Sequence, residues 1–80
     1  MVMPGIGLMK RRLETEKQAM ALAVSGIAKK YSVSPSDIKT LETEYDSDSG
    51  DWYVALGFVE KRALVKMDSV HATITEINEI

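Results

Sequence analysis

The run Asp46-Ser47-Asp48-Ser49-Gly50-Asp51 brings the densest set of oxygen ligands in the chain. Alternating Asp residues ahead of a Gly can converge carboxylates on Ca²⁺, which takes six to eight hard oxygen ligands. Asp46, Asp48 and Asp51 are therefore the candidate metal ligands. An EF-hand loop beginning at Asp46 would need Gly at Asp51 and the closing Glu at Gly57, so that pattern is not met. The competing reading is a hairpin loop in which Asp, Ser and Gly make the turn.

Catalytic groups are few. His71 is the single His and there is no Cys, which removes a thiol nucleophile, a disulfide framework and a Cys-based zinc site. His71 lies in a polar Ser69-Val70-His71-Ala72-Thr73 segment and is expected to be a solvated turn residue. Asp68 with His71, or Asp68 with Glu60, would be the only acid/base pairings to weigh. Glycine loops of the phosphate-cradling type are absent. The expectation is a protein that is not an enzyme and uses no cofactor.

The elements that must carry these residues can be read from periodicity. Thr15 followed by Gln18 has the form of a capping box, with Glu16 in the first turn. Ala19, Met20, Ala23, Val24, Ile27 and Tyr31 then recur at helical spacing and fall within an arc of about 140°. Lys29 and Lys30 suit the last turn. Gly26 costs roughly 1 kcal/mol against Ala in a helix, so it reads as room for a close helix–sheet approach. Ser34-Pro35 turns the chain, with Pro35 able to open a single helical turn.

Beyond Pro35 the period becomes two. Ile38–Tyr45 reads as a strand with Lys39, Leu41, Thr43 and Tyr45 on one face and Ile38, Thr40, Glu42 and Glu44 on the other. Trp52–Val59 places Trp52, Val54, Leu56 and Phe58 opposite Tyr53, Ala55, Gly57 and Val59, and is apolar on both faces. A Glu60-Lys61-Arg62 turn leads into Ala63–Ser69. Thr73–Ile77 closes the set, with an apolar spacing of three that predicts a bulge or an early end. The fold class is α+β: one N-terminal amphipathic helix packed on a three- to four-stranded antiparallel sheet.

Eighty residues allow a single domain, expected over 13–80, with residues 1–12 as a flexible arm opened by Pro4, Gly5 and Gly7. A chain this short buries roughly 63% of its unfolded surface, enough for one small core. The apolar start is too short to span a bilayer, and its basic cluster Lys10-Arg11-Arg12 follows rather than precedes it, unlike a signal peptide. No membrane contact is expected. The location follows as cytoplasmic if nothing precedes this chain, and extracytoplasmic if an export signal does.

Ten Lys and Arg face twelve Asp and Glu, but unevenly. Residues 1–31 carry net +4 and residues 32–80 net −6, a polarity that permits head-to-tail self-association or capture of a basic partner. The few basic residues lack interleaved aromatics, so nucleic acid is not expected as a partner. One helix can cover only one face of a strand that is apolar on both. The uncovered face is then a contact surface for a protein partner or a second copy, most simply a homo-dimer. Leu41, Tyr45, Trp52 and Tyr53 are the candidate contact residues.

The order of helix, turn, acidic hairpin and closing hairpin over residues 15–80 resembles the PepSY domain family. These modules occur in propeptides of thermolysin-type metallopeptidases and in stand-alone, usually exported proteins. The residues that carry the resemblance are Ala19 and Ala23 in the helix, the Tyr31–Ile38 turn, and Gly50-Asp51-Trp52-Tyr53-Val54. Asp68 is similar to the family's last Asp, though His71-Ala72-Thr73-Ile74 stands where a Thr-Gly-Glu-Ile-like turn would follow. Trp52, Val54 and Glu60 are also similar to a gas-vesicle accessory family. The PepSY resemblance implies a non-catalytic module that binds or inhibits a peptidase, and brings no catalytic residues with it.

Overall fold

The computed structural model describes residues 12–80, so the arm expected over 1–12 lies, apart from Arg12, outside the described residues. Helix α1 spans Glu16–Tyr31. Its capping box is complete: Gln18 N–H donates to Thr15 Oγ1 at 3.2 Å, and Thr15 N–H donates to Gln18 Oε1 at 3.1 Å. Glu14 N–H shares the same Gln18 oxygen at 2.7 Å. The helix ends at Ser32, whose φ of 56° reverses the chain. One 3₁₀ turn, Pro35–Asp37, follows with Pro35 first, where its missing N–H costs nothing.

The strands are β1 (Ile38–Asp46), β2 (Asp51–Phe58), β3 (Lys61–Asp68) and β4 (Thr73–Glu79), in the sheet order β1-β2-β3-β4 and antiparallel throughout. Each neighbouring pair is joined by a short hairpin turn, which leaves adjacent strands little choice but to pair in sequence. The helix lies across one face, giving the expected α+β arrangement. Ala19, Ala23 and Ile27 of α1 are fully buried against Val54, Leu56, Ala63, Val65 and Met67 of the two central strands. Gly26 makes the close approach that its cost in helix propensity implied: a side chain there would run into Ile74 Cδ1 of β4.

Two sequence expectations change and one is met. The β2–β3 turn is the pair Val59-Glu60, with φ of 42° and 60°, so Lys61 and Arg62 already belong to β3. Both turn residues have positive φ, as in the type I′ turn, one of the two whose twist matches that of the flanking strands. The expected bulge in the last hairpin is present, as a register step between Lys66 and Met67 opposite Glu76 and Ile74. A second bulge, between Thr40 and Glu42, interrupts β1. Because strand faces alternate with a period of two, that one extra residue reverses the faces beyond it. Thr43 and Tyr45 therefore sit beside Val54 and Trp52 on the helix side, while Glu42 and Glu44 join Leu41 on the open side.

Candidate functional site

The acidic turn is held by its own backbone. Asp48 N–H donates to Asp46 Oδ1 at 3.0 Å, an Asx turn, and Gly50 N–H donates to the Asp46 carbonyl at 2.8 Å. Gly50 takes a φ of 77°, which a side chain would resist. Asp51 lies on the first strand residue and is 3.9 Å from Lys66 Nζ. Among the described residues no group of three or more His, Asp or Glu is gathered closely enough to hold a metal ion. Asp46, Asp48 and Asp51 are thus near in sequence without forming a ligand set.

Asp68 and His71 do meet, at 2.8 Å between Oδ2 and Nδ1, with the imidazole well exposed. The second Asp68 oxygen accepts from Val70 N–H at 2.9 Å. The bond to His71, followed by that to Val70, holds the Asp68 carboxyl below its ordinary range. The hydroxyl next in sequence, Ser69 Oγ, is buried and donates to the Gly50 carbonyl at 2.6 Å. It is committed to structure. Glu60 sits in the turn at the far end of β3, about 23 Å of strand from Asp68, so that pairing is not assembled.

The candidate contact residues divide between the two faces of the sheet. Trp52 is 7% exposed and its Nε1–H donates to the Leu13 carbonyl at 2.9 Å. Tyr45 packs against it with ring centroids 4.9 Å apart. Both are on the helix side, Trp52 by the natural alternation of β2 and Tyr45 because of the β1 bulge, so neither belongs to the open face as the sequence had suggested. Leu41 and Tyr53 are on the open face. Leu41 covers Gly57 there and remains 55% exposed. Sequence alternation had passed over Leu64, which pairs with Ala55 at the centre of that face and is 37% exposed.

The open face therefore carries an apolar strip of Leu41, Tyr53, Ala55, Gly57 and Leu64. Register places Glu42 and Glu44 on its β1 border and Glu76 on its β4 border. Asp46, Asp51 and Asp68 end it at the acidic-turn side, and Lys39 and Arg62 at the other. Lys66 stands between Tyr53 and Glu76. Acids outnumber bases on this face.

A second concave surface flanks the helix. Met20, Ala21, Val24, Ala28 and Pro35 line an open groove of about 650 Å³, with Lys17, Ser25 and Lys29 completing its wall. It lies on the helix flank away from β4, since the opposite flank at Gly26 is filled by Ile74 and Ile77. No described helix is long and apolar enough to cross a membrane. Compared with protein-family models, with curated proteins and with solved structures, the chain matches none.

Proposed function

We propose that this chain is a non-catalytic protein-binding module whose contact surface is the sheet face opposite α1. One observation carries the reading. The helix covers one side of β2 and β3, while Leu41 and Leu64 stay exposed on the other side beside Ala55, Gly57 and Tyr53. Apolar surface gathered in one strip and bordered by charge is the composition of a contact site rather than of scattered solvated residues. The resemblance of residues 15–80 to PepSY modules points to the same kind of role, with a peptidase as partner. The pairing of Asp68 with a solvent-exposed His71, beside a serine already committed to the Gly50 carbonyl, supports a structural rather than a catalytic use of that turn.

The test is a cross-linking and capture experiment with the wild-type chain and the Leu41→Lys/Leu64→Lys variant. The expected result is a protein, foreign or a second copy, held by the wild type and lost from the variant. Equal capture by both overturns the reading, as does the absence of any bound protein.

A further inference from the structure

We infer that the partner of the sheet face is a second copy of this chain, joined head to tail, with the helix-flank groove of one copy seated on the sheet face of the next. The inference rests on the proposed use of the sheet face and adds the occupant. Among the described residues nothing covers two apolar surfaces on the two sides of the molecule: the groove of Met20, Ala21, Val24, Ala28 and Pro35, and the strip of Leu41, Ala55 and Leu64. Their charges are opposite. Lys17 and Lys29 stand in the groove wall and none of the lining residues is acidic. The sheet strip is bordered by Glu42, Glu44 and Glu76, and with Asp46, Asp51 and Asp68 the acids of this face outnumber its bases Lys39, Arg62 and Lys66.

The alternatives for self-association are disfavoured by the same charges. Two sheet faces brought together about a two-fold axis would set Glu42, Glu44 and Glu76 against a face that is itself net acidic, although Lys39 and Arg62 of each copy could meet the Asp46, Asp51 and Asp68 end of the other. Two grooves brought together would set Lys17 and Lys29 against Lys17 and Lys29. Like charges in apposition work against association, whereas opposite ones steer it and fix orientation. The groove-on-sheet contact buries apolar surface against apolar surface and sets a wall whose charged residues are all basic against the net acidic face. That contact is heterologous, so each added copy leaves one free groove and one free sheet face, and growth continues into open chains or closes as a ring.

The test uses two exposed positions. Ala21→Glu places an acid in the groove, and Leu64→Lys places a base on the sheet, where its stem can still cover the strand. Circular dichroism and Trp52 fluorescence check that both fold. Light scattering across a concentration range should show the wild type growing beyond twice its 8.9 kDa mass, and each variant alone staying at the single-chain mass. Mixed in equal amounts, the variants should give a 1:1 species of twofold mass, because one retains the sheet face and the other the groove. Failure of the mixture to associate overturns the inference. So does an Ala21→Glu chain that dimerises while Leu64→Lys does not, an outcome that keeps the sheet face as a contact surface but makes it self-complementary. A wild type that stays monomeric and associates only after removal of residues 1–11 also overturns it, by showing the groove filled from within the chain. If instead the monomer loses a foreign partner through the Leu41→Lys/Leu64→Lys change, the head-to-tail contact fails and the proposed function stands.

Discussion

Ser69 Oγ donates to the carbonyl of Gly50 at 2.6 Å, and the backbone N–H of Ser69 donates to the same oxygen at 3.1 Å. The serine is completely buried, and its own carbonyl accepts from Arg12 N–H at 2.8 Å and Leu13 N–H at 2.9 Å. One residue in the β3–β4 turn therefore ties down the β1–β2 turn and the segment entering α1. Trp52 adds a fifth bond at the same end through the Leu13 carbonyl. Buried polar groups are tolerated when each has a partner, and no buried side-chain nitrogen or oxygen among the described residues lacks one.

Ser69→Ala removes one of two donors to the Gly50 carbonyl and leaves the other in place. The expected loss is about 1 kcal/mol, the net worth of a single hydrogen bond. Thermal unfolding should shift down by about 4–8 °C, as that free energy implies for a domain of this size. An unchanged melting temperature would show that the hydroxyl adds nothing beyond the backbone contact.

Trp52→Phe keeps an aromatic ring beneath the helix but deletes the donor to Leu13. A buried carbonyl deprived of its partner costs about 1–3 kcal/mol. Hydrogen exchange should localise the effect: the Arg12 and Leu13 amides, which bond to Ser69, should exchange faster than those of the central strands. Uniform acceleration across the sheet would instead mean that the ring's packing, not the bond, had been lost.

The Val59-Glu60 turn offers a gain. Both residues have positive φ, where an L side chain meets the backbone at a cost of about 1–2 kcal/mol. Glu60→Gly removes that conflict without touching the core, so the domain should be stabilised by about 1 kcal/mol. Urea unfolding measures it. A destabilised variant would show that the glutamate side chain outweighs the backbone strain.

Gly26→Leu should be damaging. Even a methyl group at this position meets Ile74 Cδ1, and a larger side chain must push β4 away from the helix. Overpacking of this kind costs about 1–3 kcal/mol. Gly26→Ala gains about 1 kcal/mol of helix propensity against a rotation of the flexible Ile74 end, and should fall close to the wild type. If leucine were tolerated equally well, the helix would not be held close at that point.

The pairing of Asp68 sets a pH dependence. Its carboxyl is held below the ordinary 3.8 by His71 and by Val70 N–H. A carboxylate depressed on folding contributes stability that is complete above its unfolded value and disappears as pH falls through the folded one. The stability that the Asp68 carboxylate adds over Asp68→Asn should therefore shrink as pH falls from about pH 5 to about pH 2. Urea titrations at intervals across that window provide the check. A difference that persists undiminished at the acid end would remove the carboxylate's charge from the explanation.

How much of this architecture was legible follows from the range of the interactions involved. The helix could be read because Thr15, Gln18 and the Ala19–Ala23–Ile27 stripe act over three or four residues, through capping and a 3.6-residue period. The strands could be read because alternation is equally local, and the spacing of Ile74 and Ile77 even announced the bulge in β4. Alternation alone could not say which face of β2 the helix would take, nor that a bulge at Leu41 would send Tyr45 inward and Glu42 outward. Both are settled by packing between elements far apart in the chain. Leu64 escaped notice for the same reason: its exposure depends on what lies over β3, not on its neighbours in sequence. The acidic turn shows the reverse limit, since three aspartates within six positions suggest a ligand set that the turn's own hydrogen bonds do not assemble. Ser69 marks the boundary most clearly. As one serine in a polar turn it carries no local signal, and it becomes the anchor of one end of the domain only when folding brings Gly50 and Leu13 within hydrogen-bonding distance.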